Sequence, residues 1–366
     1  MGIKNLSKYL RDKSPEVFKT IHISEYALKK VAIDTSLYMY HFKAICGDAW
    51  LGAFFRLVAL LRENHVHCVF VYDNGCPPEK EAERKERQDA RNKLEEKVFN
   101  LEQAIDDYHN LGEISSLLTE FQTSKKLDPP RLLKQNSGIN IKAIEYAVQK
   151  LKKQIFTITP KDFADTRELF DILQVPYIIA PLEAETTCSD LCIQGKVDAV
   201  LTEDTDVLAY GTPVFLTKIN TGDGTCVQIK YEDVLGSFEY SAEQFLDFCI
   251  MCGTDYNKNI FKVGPVKAYS LIKEHKSIED IKENTVYDVS ILNHVRVREL
   301  FRDYKKWEDK VGFCGAPDFE KLQLFLTKKN LRTNLESLYK SFTNSNIVIV
   351  EDDEGEEEEE IIEEDE

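Results

Sequence analysis

KKVAID (residues 29–34), WLGAFFRLVALLRE (50–63) and CVFVYD (68–73) decide the fold. The first and last are β-branched and aromatic runs, each ending in an aspartate. The middle segment carries apolar residues at helical spacing. A strand, a helix and a second strand in so short a stretch form the unit of a parallel sheet. The pattern returns downstream. Asp162 to Leu173 reads as a helix and VPYIIA (175–180) as a strand; Glu183 to Cys192 reads as a helix and DAVLT (198–202) as a strand, followed by PVFLT (213–217). The chain is therefore expected to be α/β, with a mostly parallel twisted sheet flanked by helices. Sites in such sheets form beyond the carboxyl ends of the strands. Asp34, Asp73 and Asp204 fall there, and Glu183 opens the helix after a strand.

Seven acidic residues gather around these positions: Asp34, Asp73, Glu183 and Glu185 in APLEAE, Asp204 and Asp206 in LTEDTD, and Asp255 in GTDY. Like charges at close range raise one another's pKa and destabilise a fold. Divalent cations remove that burden, and an all-oxygen ligand set suits Mg²⁺ or Mn²⁺. In extended or turning chain, residues i and i+2 project to one side, so Asp204 and Asp206 can reach one centre. Taken singly, each pair has an ordinary explanation. An isolated D-x-D is most often a solvated turn, and Glu183 and Glu185 sit where a helix N-terminus favours negative charge. Asp204-Thr-Asp-Val207 also fits the motif of haloacid-dehalogenase-type phosphatases, a reading that leaves the other five carboxylates unexplained.

Residues 79–109 predict a long charged helix. Lys80, Arg84, Arg87 and Arg91 recur on one face of it, with Glu79, Glu83 and Glu86 on the neighbouring face. A solvated salt-bridge helix has the same pattern, but the stripe starts seven residues after Asp73. Cations beside a metal site would clamp a phosphodiester. Residues 110–160 predict one helix near 141–154 and a basic, Pro- and Gly-containing loop at 124–138. Residues 242–310 read as several short helices, and 318–342 as a final pair. In MCGTDYNKNIFKVGPVKAYSLIKEH (251–275), Gly264 and Pro265 open a helix whose N–H groups can hold a phosphate, with Lys267 one turn in. Any tight turn between helices would use the same Gly-Pro. Cys188/Cys192 and Cys249/Cys252 lie on apolar helical faces and lack a partner pair at zinc-finger spacing. His65 and His67 flank a strand start and are expected to be structural or exposed.

The net charge of −17 is misleading, because 13 of the 64 acidic residues lie in 351–366, which leaves 51 against 47 Lys and Arg. An acidic pI therefore does not exclude nucleic acid; the clustering of the bases matters more. The final segment is low-complexity acid and is expected to be disordered. No apolar run is read as long enough to cross a bilayer, and MGIKNLSKYL lacks a signal-peptide core. Nine cysteines are too sparse for a disulfide framework. An intracellular location is expected, either the nucleus or a cytoplasmic compartment of DNA replication, with no membrane partner.

In order, MGIKNL, VAIDTSLYMY, VFVYDNGCPPEK, APLEAE, GKVDAVLTEDTDVLAYG, CGTDYNKNIFKVGPVKA and HKSIEDI resemble the flap endonuclease family of structure-specific 5′ nucleases. The resemblance runs from residue 1 to about 341. It implies a nuclease fold with an XPG-N-like region over 1–110, including the start of a helical arch. An arch or cap insertion would follow over 111–160, then an XPG-I-like region over 161–342 with a helix–two-turn–helix at about 242–275. Residues 343–366 would be a disordered tail. It further implies that Asp34, Asp73, Glu183, Glu185, Asp204, Asp206 and Asp255 hold two Mg²⁺ ions, with Mn²⁺ able to substitute. Lys80 and Arg87 would be the active-site cations. Tyr40 would stack on the base beside the cut, Gly2 would lie near the site, and Arg84, Gly264 and Lys267 would contact DNA. The implied substrate is DNA with a 5′ flap, nick or frayed 5′ end, cut by hydrolysis to a 5′-phosphate and a 3′-hydroxyl in replication, repair or recombination.

The chain departs from the family in several places. Asn74 intervenes between Asp73 and Gly75, Lys262 replaces a glycine, and Asn259 replaces the serine that helps bind a monovalent ion. The span from Asp73 to Glu183 is long, and no sliding-clamp motif is recognisable. Four-way-junction or RNA cleavage, and a non-enzymatic DNA-binding scaffold, stand as alternatives. Ile347 to Val350, followed by acids, resembles a motif that binds small ubiquitin-like modifiers by strand addition.

Overall fold

Alternate residues of the central strands face two different cores. Val31 and Ile33 of strand β2 (Lys30–Asp34), with Cys68, Phe70 and Tyr72 of β3 (His67–Tyr72), pack against helices Thr35–Cys46, Trp50–Glu63 and Pro160–Ile172. Ala32, Val69 and Val71 point the other way, towards helices Ala184–Ile193 and Ala242–Cys252. Strands buried on both faces explain why these segments are continuously apolar rather than alternating. The structure is a computed structural model and describes residues 2–127 and 139–331, together with Tyr339 and Phe342.

Numbering β1 as Lys19–His22, β4 as Tyr177–Ile179, β5 as Ala199–Leu201, β6 as Val214–Thr217 and β7 as Thr225–Lys230, the sheet order is β1-β7-β6-β5-β2-β3-β4. The pairings from β6 through β4 are parallel, and β7 runs antiparallel to both β6 and β1. The mostly parallel sheet is as expected, whereas β1 and β7 were not anticipated. KTIH (19–22) is largely exposed, so it has no apolar pattern to betray it. The chain winds from β2 to β3 and β4, then returns to place β5 on the opposite side of β2. That reversal puts the topological switch point between the ends of β2 and β5.

The stretch Thr35–Glu63 meets the length and composition of a membrane span, contrary to the sequence reading. A 3₁₀ turn at Gly47–Ala49 breaks it into two helices, and their apolar faces pack around Phe42, Phe54 and Trp50 in the core.

The long helix spans Glu81–Leu111 after a 3₁₀ turn at Pro78–Lys80. It buries Val98, Leu101, Ala104 and Ile105 only, so its first half stands free of the core. The second half packs with helices Ser116–Ser124 and Ile141–Lys152 around a third, small apolar cluster. Helix Ser116–Ser124 was not expected from sequence. Acids on the 3₁₀ turn and the first half of the helix fasten it to the body: Glu79 accepts from Arg296 at 2.7 Å and Glu86 from Lys258 at 2.7 Å. The last described helix is Phe319–Lys328. Most of the basic loop, the second helix of the expected final pair and the tail with Ile347 to Val350 lie outside the described residues.

Candidate active site

Each strand end delivers its acid to the same place. Asp34 is the last residue of β2 and caps helix Thr35–Cys46, its Oδ1 accepting from Leu37 N at 3.0 Å. Asp73 follows β3, and its Oδ1 accepts from Ala184 N at 2.7 Å. Asn74 N donates to Leu182 O at 2.8 Å, so the extra residue after Asp73 is absorbed without turning the carboxylate away. Glu183 precedes helix Ala184–Ile193, and Glu185 lies in its first turn. Asp204 and Asp206 follow β5, and Asp255 comes from the turn after helix Ala242–Cys252. Six of the seven line one cavity of about 820 Å³; Asp206 lies behind it, fully buried. Lys80, Arg84, Arg87 and Arg91 line the same cavity, as the helical stripe predicted.

The cations bind the acids unevenly. Lys80 Nζ lies 2.7 Å from Glu183 Oε1, 3.2 Å from Glu185 Oε1 and 3.4 Å from Asp255 Oδ2. Arg87 Nη2 donates to Asp255 Oδ2 at 3.0 Å, and its Nε pairs with Glu83. Arg84 turns aside to Cys76 Sγ at 3.0 Å. Both carboxylate oxygens of Asp206 are buried and take no hydrogen bond. Such a group is expensive to leave unpartnered. Burial, then Asp204, pushes the Asp206 carboxyl well above its ordinary value; burial, then Asp73, does the same to Asp34. Burial likewise raises Glu185 and Asp204. Burial pulls the Lys80 ammonium down, but Glu185, Glu183 and Asp255 outweigh it and the net shift is upward.

One oxygen from each of Glu185, Asp204 and Asp206 lies within 4.8 Å of the others, the one such group of candidate metal ligands among the described residues. The donors are all oxygen, which suits a hard divalent ion. Gly2 closes the back of this group with φ +80°; a Cβ there would collide with Asp204 Oδ1 and lie 2.8 Å from Asp206 N.

Sequence reading missed what stands behind Glu183. Tyr256 OH donates to Glu183 Oε2 at 2.7 Å, Tyr210 OH lies 2.9 Å from Tyr256 OH, and Thr186 Oγ1 donates to Tyr210 OH at 2.8 Å. Both tyrosines belong to quoted motifs, one residue after Asp255 and four after Asp206, but an aromatic there reads as core. Tyr40 also lines the cavity and is 47% exposed. Gly264 and Lys267 do not line the cavity. Gly264 precedes helix Pro265–His275, and Lys267 Nζ lies 4.7 Å from the Tyr287 ring centroid. Lys262 keeps a left-handed φ of +61°, the conformation a glycine would favour. The Asn259 amide donates to Val263 O at 2.8 Å and to Ile260 O at 3.4 Å, so this side chain is engaged within the turn. The four helical cysteines are buried in the core, as are His67 and Cys68 at the start of β3.

Comparison with known proteins agrees with this geometry. The XPG N-terminal domain matches residues 1–94 and the XPG I-region matches 174–255. A probable RAD2-like endonuclease of Invertebrate iridescent virus 6 is 31% identical over 387 aligned positions, spanning 95% of this chain and 93% of that protein. The chain belongs to the XPG/Rad2 family of structure-specific nucleases. A second probable RAD2-like endonuclease, from Invertebrate iridescent virus 3, is 36% identical over 87% of this chain and 90% of its own length. Flap endonuclease 1 of Xenopus tropicalis is 30% identical over 78% of this chain and 69% of its length. Among solved structures, the catalytic core of Rad2 in complex with DNA substrate superposes with a TM-score of 0.65 at 17% identity, covering 94% of this chain and all of that one, which establishes the shared fold. Membership of this family removes the phosphatase reading of Asp204-Thr-Asp-Val207.

Proposed function

We propose that this XPG/Rad2-family chain hydrolyses DNA at 5′ flaps, nicks or frayed 5′ ends, using two divalent ions held by Asp34, Asp73, Glu183, Glu185, Asp204, Asp206 and Asp255. Mg²⁺ is the natural occupant and Mn²⁺ a working substitute. The observation that carries the reading is the buried, unpartnered Asp206 carboxylate beside Glu185 and Asp204. A fold keeps such a group when a cation completes it. Bound there, a divalent pair would activate the attacking water and offset charge on the attacking and leaving oxygens.

The chain's own groups supply the rest. Tyr256 and Tyr210 fix the Glu183 carboxylate in orientation through neutral hydroxyls, both held protonated by burial. Lys80, held by three carboxylates, would be available to the scissile phosphate once a divalent pair shared their charge. Arg87 then faces the same phosphate from about two helical turns further along the stripe. Gly2 keeps the Asp204 and Asp206 carboxylates from being displaced. The test is cleavage of a 5′-labelled flap, nick, junction and RNA panel by wild type and Asp204→Ala in Mg²⁺. Flap cleavage by wild type alone supports the reading. Failure of wild type on every substrate, or full activity of the variant, overturns it.

A further inference from the structure

Two aromatic rings, Tyr40 and Phe156, line the active-site cavity. Phe156 lines the cavity with Tyr40, the ring centroids 5.9 Å apart and the planes tilted by 44°. That spacing leaves no room for a base between them, so the rings form one continuous apolar wall. Six of the carboxylates line the same cavity. Tyr40 is six residues after Asp34 on the helix that Asp34 caps, about 9 Å along the axis, a reach of roughly one nucleotide.

The wall is held in place by polar contacts that leave its rings free. Arg91 Nη1, from the cationic stripe, donates to Phe156 O at 3.3 Å. Lys43, on the Tyr40 helix, donates to Thr157 O at 3.3 Å and to Asp162 Oδ2 at 2.6 Å. Thr159 and Asp162 close a capping box that fixes where the next helix begins. The segment that carries Phe156 is thus fastened to both the long helix and the Tyr40 helix. Phe156 is only partly buried and faces a cavity whose other walls suit a phosphate.

We propose that Phe156 is a second base-contacting residue: the unpaired nucleotide next to the scissile phosphate stacks on Tyr40 and rests its base edge against Phe156. Base–aromatic contact is tolerant of sequence, as a nuclease that reads structure rather than sequence requires. The assignment rests on the nuclease reading above, so its test includes a binding readout that does not need cleavage.

The experiment uses the full chain with two flap substrates, one bearing a normal base at the first unpaired position and one abasic there. Phe156→Leu keeps the volume apolar and removes the ring; Phe156→Tyr restores a ring. Single-turnover cleavage by Phe156→Leu should fall roughly tenfold on the base-bearing flap, towards the low end for losing one base–aromatic contact. It should match wild type within about twofold on the abasic flap, and Phe156→Tyr should recover most of the loss. An unchanged rate for Phe156→Leu, or an equal loss on both flaps, overturns the assignment. In Ca²⁺, a 2-aminopurine at that position should be quenched on binding wild type and stay brighter on Phe156→Leu; equal fluorescence overturns it. Should wild type cut no flap, the nuclease reading fails, and the fluorescence pair still decides the role of Phe156.

Discussion

Two acidic clusters in this molecule have opposite solutions to the same problem. Asp247, buried in helix Ala242–Cys252, accepts from Arg298 Nε at 2.6 Å and Nη2 at 2.7 Å, and from Ile278 N at 3.1 Å. Arg298 also holds Glu279 at 2.6 and 2.7 Å. That hydrogen bonding pulls the Glu279 carboxyl down to about 2. At the strand ends, by contrast, burial and mutual repulsion push Asp34, Glu185, Asp204 and Asp206 up, and Asp206 has no partner at all. A cluster whose acids are all satisfied ties helices together. A cluster left short of positive charge is waiting for some.

Asp206→Asn should break the contrast most sharply. We expect flap cleavage to fall by about a thousandfold, since charge stabilisation by a metal is worth several kcal/mol at the transition state. The metal-free melting temperature should stay level or rise, because a buried repulsion has been removed. Single-turnover rates and thermal melts check both halves; a large fall in stability would mean the acid is structural. Arg298→Ala should do the reverse. It strands Asp247, and breaking a buried ion pair is worth about 3 kcal/mol or more, read as a lower midpoint in urea. At temperatures where the variant stays folded, cleavage should remain within a few-fold of wild type.

Gly2→Ala sharpens the comparison from the backbone side. An alanine at φ +80° is strained by about 1–3 kcal/mol, and its Cβ must displace the Asp204 carboxylate. Cleavage should drop about tenfold or more, in keeping with the sensitivity of catalysis to ångström-scale displacement. An active, fully stable Gly2→Ala would show that the carboxylates tolerate another arrangement.

How much of this was legible beforehand follows the physics of each region. Strands β2 and β3 and the helix between them announced themselves, because residues buried on both faces must be apolar. The seven acids and the Lys80–Arg91 stripe were legible only together: each alone fits a solvated turn, a helix start or a salt-bridge helix, but their shared placement around the strand ends does not. β1 was not, since an exposed edge strand places no demand on side-chain polarity. Tyr256, Tyr210 and Phe156 were not, since an aromatic that orients a carboxylate or faces a cavity has the same letter as one in the core. Thr35–Glu63 shows the limit of composition alone: it would suit a membrane, yet the reading of 50–63 as a helix between two strands holds, and the turn at Gly47–Ala49 folds both helices onto the core.

Titration of divalent metal against pH tests the central claim most directly. The raised acids bind protons more tightly folded than unfolded, so their contribution to metal-free stability is fully present below the ordinary carboxylate values of 3.8 and 4.5 and is lost as pH rises through their raised folded values. Arg298 with Glu279 adds the opposite slope, present above 4.5 and lost only as pH falls through about 2. Mg²⁺ or Mn²⁺ should therefore raise the melting temperature more at pH 8 than at pH 5.5, with saturable binding of two ions per chain in wild type and a reduced stoichiometry in Asp206→Asn. No saturable binding, or identical binding by wild type and Asp206→Asn, would contradict the reading of these seven carboxylates as a metal centre.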